Sequence, residues 1–408
     1  MSLSATSSRI VSLDQFRGYT IVGMILVNFI GDFAVSPPVL QHHNTYFSYA
    51  DTIMPGFHFA VGFALRLVLL KRIATLGARR AYASVVRRGL GLVLLSTVLE
   101  FGTSGRLFSN WPGLVQAGVW GALAGPLKCQ FWETLAIIGV TSIFVLPVIA
   151  ASIRVRIPFM IACAGLHVLL AHLFYFNFLY ARPNWLDPIW GAQNVRGLDG
   201  GPLGFLAWSV SQIVGSLAYD CVARRPPRSA LLRLSAWSLI LMLLGYGLSV
   251  LSLNYPRTQP PTTDEGKVMV AASPVLPPAR SATAAGILPE PPFVQPTAEE
   301  QRQLNYWLMD KRVVTLPFNL FSSGFALAVY ALFVLLSDIA GWQIGFFRTF
   351  GQNALAAYIL HEIVGAAVRA FAPHDSPVWW VGITFASYVG ITYLFVRHLE
   401  KHSIYIRM

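Results

Sequence analysis

Residues 231–250 read LLRLSAWSLILMLLGYGLSV, and this stretch sets the fold class. Its one charge, Arg233, sits near the start. An α-helix rising ~1.5 Å per residue needs about 20 such residues to cross a ~30 Å hydrocarbon core. Alone, the run could equally be the core helix of a soluble domain. Comparable runs at 16–34, 49–70, 84–101, 131–150, 157–176, 203–220, 314–337, 349–371 and 378–396 remove that option. The expectation is an all-α, polytopic transmembrane bundle of about ten helices, set in a lipid bilayer.

Composition agrees. The 408-residue chain is 55% hydrophobic and 12% charged, about half the ~25% charge of soluble domains. Its net charge of +12 is held in short clusters between apolar runs, not in a basic stripe interleaved with aromatics, so nucleic acid is not an expected partner. Cys129, Cys163 and Cys221 lie far apart without metal or disulfide spacing. The first apolar run follows Arg9 and Arg17 but leads into no small-x-small cleavage site, so it is read as a retained helix.

Lysine and arginine fall in every second connection. The basic groups are Lys71, Arg72, Arg79, Arg80, Arg87 and Arg88; then Arg154 and Arg156; then Arg224, Arg225, Arg228 and Arg233; then Arg397, Lys401 and Arg407. Ten spans with both termini in the cytoplasm satisfy the positive-inside rule. The expected organisation is helices one to seven over 1–253, a Pro-rich outer loop over 254–312, and helices eight to ten over 313–408. That loop, with Pro260, Pro261, Pro277, Pro278, Pro291 and Pro292, reads as an extended linker. Thr297-Ala298-Glu299-Glu300 resembles a capping box ahead of Leu304–Met309.

Ionisable groups at membrane depth cost about 2.5–3.5 kcal/mol each on insertion scales, so each needs a reason. Asp14 and Arg17 are three apart on the first helix, either as cap and interfacial ion pair or as a contact for an anionic cytosolic ligand. On the outer side stand Asn28, the adjacent His42 and His43, and Asp51 at the head of the second span. Histidine beside a carboxylate suits proton transfer near neutral pH, while two histidines and one Asp make an incomplete metal set. Gln130 and Glu133 open the fourth span, and Asn353, Tyr358, His361 and Glu362 run along the ninth. Polar groups reaching in from both sides suit a tunnel. That fits an enzyme moving a group across the membrane, and equally a transporter.

The order of several motifs carries a resemblance. Ser12-Leu13-Asp14-Gln15-Phe16-Arg17-Gly18, Val27-Asn28, Ala50-Asp51-Thr52-Ile53-Met54-Pro55, and Gly351-Gln352-Asn353-Ala354 with Tyr358 and His361-Glu362 resemble the heparan-α-glucosaminide N-acetyltransferase family and its bacterial relatives. The resemblance implies transfer of an acetyl group from cytosolic acetyl-CoA, a co-substrate, to an amino sugar such as glucosamine, or a glycan, across a bacterial inner membrane. No metal is implied. It implies a catalytic set of Asn28, Asp51 and a histidine. Gln41 occupies the unshifted histidine position, so His42 is the nearest candidate and His43 the next. Arg17, Arg87 and Arg88, with Asp14 nearby, are candidates for the CoA phosphates; Asn353, His361, Glu362 and Gln130 are placed along the tunnel. A homodimer is an arrangement the sequence leaves open. The rival functions are a sugar transporter on the same scaffold and a non-catalytic envelope component.

Overall fold

Apolar side chains line the outside of this molecule and many polar ones its interior. Leu90, Leu94 and Val98 of one helix are all exposed at i, i+4 and i+8, while Ser209, Ser211, Gln212 and Ser216 of another are fully buried. A water-soluble bundle does the reverse, so the outer surface is built to face lipid. The computed structural model describes residues 10–104, 111–257, 269–279, 288–297 and 299–406. Pro260 and Pro261 lie outside them.

The helices are α1 Val11–Ile30, α2 Ile53–Leu76, α3 Ala78–Ser104, α4 Trp111–Lys128, α5 Thr134–Ile149, α6 Ile153–Leu170, α7 Phe176–Leu179 and α8 Asp187–Trp190. They continue with α9 Gly204–Ala223, α10 Pro227–Ser249, α11 Leu316–Phe333, α12 Gly345–Gln352, α13 Ala354–Arg369 and α14 Val378–Lys401. No named strand occurs among the described residues; Val270 and Leu304 form an isolated bridge. The all-α expectation therefore holds.

The count of ten spans is reproduced only in part. Seven described helical stretches are long and apolar enough to cross a membrane, and an eighth arises if Gly118–Trp132 and Thr134–Ile149, bent by 83°, count as one broken span. The differences lie where polar residues interrupt the apolar pattern. α1 carries Asp14, Gln15 and Arg17 in its first two turns. The run expected at 349–371 is divided at Asn353, whose side chain donates to Ile404 O at 2.9 Å and ties the C-terminal tail to the break.

Close helix crossings explain the glycines. A Cβ on Gly18 would stand 1.8 Å from Phe347 O, and one on Gly351 would stand 1.9 Å from Asp14 O, so α1 and α12 meet through their backbones. Gly62 and Gly215 do the same for α2 and α9, where a Cβ would meet Gln212 O at 1.9 Å and Phe59 O at 2.0 Å. Small residues at such crossings let membrane helices gain van der Waals contact without a hydrophobic driving force. Phe16, Phe59, Phe63 and Tyr330 fill the centre of the bundle.

The described parts of 254–312 are packed against the bundle. Tyr255 donates to Ser273 O and Pro274 O, Trp307 Nε1 to Val275 O, and Tyr246 to Pro289 O. The sequence suggested a plain linker because proline removes donors and regular structure. Here aromatic side chains supply the missing donors instead. The capping-box segment forms only a short 3-10 turn, Glu299–Gln301, and Leu304–Met309 is not helical.

Candidate active site

The connection from α1 to α2 positions the two histidines. A 3-10 turn, Pro38–Leu40, precedes them, and a second, Ala50–Thr52, carries Asp51 into α2. Asp51 is fully buried. Its Oδ2 accepts from Ser48 N at 3.2 Å and Ser48 Oγ at 2.9 Å, while Oδ1 lies 2.8 Å from His42 Nδ1. With Oδ1 as acceptor, Nδ1 of His42 carries the hydrogen, and Nε2 is left with a lone pair. The His42 side chain is 48% exposed. A buried carboxylate thus orients an imidazole whose free nitrogen is accessible, the geometry of a general base or nucleophile.

His43 differs. Its Nε2 lies 2.9 Å from Pro38 O, and its Nδ1 lies 3.6 Å from Glu299 Oε1. Burial disfavours the cation, but Glu299, the Pro38 carbonyl and Asp51 outweigh it and raise the pKa of His43 above its ordinary value. Glu299 is shifted the opposite way: burial raises its pKa, and His43, Thr45 and Gln295 more than reverse this. Tyr46 stacks on His43 at 4.3 Å, and its hydroxyl is buried without a partner among the described residues. Burial, then the charges of Glu299 and Asp51, push that phenol up to about 12.

Two interlocked turns flank the same end of the bundle. Asp199, Gly200 and Gly201 have φ of 48°, 88° and 56°, and Val314 has φ of 58°. Positive φ is costly for a β-branched residue and persists only where surroundings over-determine it. Gly200 N donates to Arg312 O, and Arg312 Nη1 donates to Gly197 O. Lys311 reaches Asp199 at 3.1 Å. Burial disfavours its cation, but Asp199 and then Asp51 raise its pKa above the ordinary value. Lys311 thus supplies positive charge beside the buried Asp51.

Asn28, on the last turn of α1, meets α13 rather than the histidine connection. Its Nδ2 lies 3.5 Å from His361 Nε2, which is also 3.2 Å from Glu362. Tyr388 donates to His361 O at 3.2 Å. Val27, Ala50, Ile53 and Val364 belong to one apolar cluster that joins α1, the turn carrying Asp51, α2 and α13. Gln130 sits in the bend between α4 and α5, with its Oε1 buried and unpartnered among the described residues.

The opposite end is basic. Arg17 lies in the second turn of α1, Arg72 near the end of α2, and Arg87 and Arg88 in the third turn of α3. Arg17 and Arg72 lie close enough to Arg88 to repel its charge, so three of these side chains converge. Asp14 is buried beneath them in α1. At this end Asp220 also pairs with both Arg66, at 2.7 Å, and Arg156.

Sequence reasoning missed a third polar group, at mid-bundle. His58 is fully buried, stacks on Trp208 at 4.5 Å, and meets Gln212 Nε2 at 3.3 Å, which also donates to Ser142. It lies in the second turn of α2, seven residues after Asp51, which sits in the 3-10 turn leading into that helix. Among the described residues no group of three or more His, Cys, Asp or Glu is arranged to hold a metal.

No curated protein matches the chain. A family model described as heparan-alpha-glucosaminide N-acetyltransferase, catalytic, matches residues 9–194. That region contains Asn28, His42, His43 and Asp51, and over it the chain is similar to the heparan-alpha-glucosaminide N-acetyltransferase family.

Proposed function

We propose that the chain is a membrane acetyltransferase. It takes acetyl from acetyl-CoA on the cytosolic side and delivers it to an amino sugar or glycan on the periplasmic side of a bacterial inner membrane. The observation that carries this reading is the 2.8 Å pairing of accessible His42 with buried Asp51 inside the family-matched region.

In the transfer, the acceptor nitrogen or oxygen attacks the thioester carbonyl carbon, the C–S bond breaks, and CoA leaves as the thiolate. His42 Nε2 takes the proton that the acceptor gives up, and Asp51 stabilises the imidazolium that results. The same nitrogen can instead carry the acetyl group between donor and acceptor. Asn28 uses one amide hydrogen toward His361, and the other is available to the thioester oxygen as charge develops. Such a donor is worth ~3–4 kcal/mol in other acyl-transfer sites. Arg17, Arg87 and Arg88, with Arg72 beside them, provide the cationic end suited to the CoA phosphates.

Equilibrium binding of CoA to the purified protein in nanodiscs tests the donor half of this reading. Binding that weakens about tenfold or more in Arg88→Ala supports it. No binding at millimolar CoA contradicts it and favours transport without a covalent step.

A further inference from the structure

The segment 289–302 lies outside the family-matched residues, yet it grips the histidine connection at two points. Phe293 N donates to Phe47 O at 2.7 Å, and the Phe293 ring packs edge-on against Phe47 at 5.5 Å. Six residues on, Glu299 accepts from Thr45 Oγ1 and lies 3.6 Å from His43 Nδ1. Gln295 donates to its other oxygen at 3.3 Å, so the carboxylate is held from its own segment as well.

His43 therefore faces acceptors at both ring nitrogens, a backbone carbonyl at Nε2 and a carboxylate at Nδ1. A neutral imidazole has one N–H and can serve only one of them; the imidazolium donates to the Pro38 carbonyl and carries a positive charge toward the carboxylate, which at 3.6 Å is an ion-pair partner. The charged and titratable groups around it are Glu299 from the outer segment, Asp51 from the turn leading into α2, and Tyr46 and His42 from its own connection. The His42 ring is turned to Asp51, and Lys311, paired with Asp199, stands near that carboxylate.

We propose that Glu299 is a positioning residue of the active site: it pairs with His43, favours the protonated form of that ring and pins the 42–47 connection, leaving His42 to present the basic nitrogen. Adjacent histidines thereby take different jobs. His42 carries the mobile proton, and His43, drawn toward its cationic form by the carboxylate, favours negative charge on the acceptor side of the transfer. Burial opposes the charge on His43, and the carboxylate and carbonyl overcome it. The catalytic consequence rests on the acetyltransferase reading; the protonation state of His43 does not.

The test is carbethoxylation with diethylpyrocarbonate, which attacks neutral imidazole and spares imidazolium. The full chain in nanodiscs is treated across pH 5.5–9 (about three units around the usual His value), and His42 and His43 are resolved by fragment mass spectrometry. In wild type, His43 should reach half-maximal reactivity above the ordinary histidine range, with His42 as internal reference. Glu299→Gln should lower that midpoint by about one unit, so that at pH below both midpoints His43 is modified roughly tenfold faster, with the His42 profile unchanged. Thr45→Val removes the hydroxyl that donates to Glu299 without altering charge and should leave the midpoint where it was. An unchanged His43 profile in Glu299→Gln overturns the proposal, as does an equal shift in Thr45→Val, which would make docking and not charge the cause. Wild-type protein that shows the raised midpoint but transfers no acetyl group would count against the enzyme reading alone.

Discussion

Asp51 Oδ1 lies 2.8 Å from His42 Nδ1, and Ser48 occupies the other carboxylate oxygen with both its amide and its hydroxyl. The carboxylate therefore sets the tautomer and direction of one imidazole. Asp51→Asn keeps the shape but offers an NH2 where acceptors are needed. Acetyl transfer should fall by roughly 10³–10⁴-fold in kcat, the scale seen when the orienting acid of a triad is neutralised. Ser48→Ala should cost about 10-fold, in line with losses of outer-shell partners. Steady-state kinetics check both, and a drop confined to KM would contradict the assigned role.

The His43–Glu299 contact also makes stability pH-dependent. The pKa of His43 is raised above 6.5, so its contribution is complete below that value and lost as pH rises through the folded-state pKa. Glu299 is lowered below 4.5, so its contribution is present above that value and lost as pH falls through the folded-state pKa. The melting temperature gap between wild type and Glu299→Gln should be widest between those two ordinary values and narrow on either side. A gap that is flat with pH would show that no charge is involved.

At the basic end, one carboxylate serves two buried guanidinium groups. Arg66 and Arg156 are nearly inaccessible, and Asp220 contacts both. Asp220→Asn leaves two positive charges facing each other in the bundle and should cost about 3–5 kcal/mol of stability. Pairing it with Arg156→Met should restore part of the loss. Thermal unfolding in detergent checks the pair of variants.

Gly351 belongs to one of the motifs that carried the family resemblance, and in the structure it makes a helix crossing. A Cβ there would sit 1.9 Å from Asp14 O. Gly351→Ala should destabilise by roughly 1–3 kcal/mol or more as α12 is pushed from α1, with KM for the acceptor little changed. Differential scanning fluorimetry beside kinetics separates the two effects.

These residues show what was legible in the sequence. Asp51 and the histidines are nine and eight residues apart in one short connection, so their meeting required only a local turn. The all-helical architecture followed from apolar runs, which need no knowledge of packing. The ten-span count failed to reproduce fully where single polar residues, such as Asn353, broke an apolar run that averaging had joined. Glu299 was read only as part of a helix cap, and its contact with the histidine connection was not legible because its partner Thr45 lies 254 residues away. His58 drew no reading from the sequence; Gln212 and Trp208, both on α9, single it out in the structure. The glycine motifs were read as part of a chemical signature, whereas they are equally a packing one.

The most direct measurement follows labelled acetyl from acetyl-CoA outside liposomes to glucosamine inside them, with wild type, His42→Ala and His43→Ala compared. The account predicts transfer by wild type, none measurable in His42→Ala, and reduced but definite transfer in His43→Ala. Full transfer by His42→Ala would contradict it.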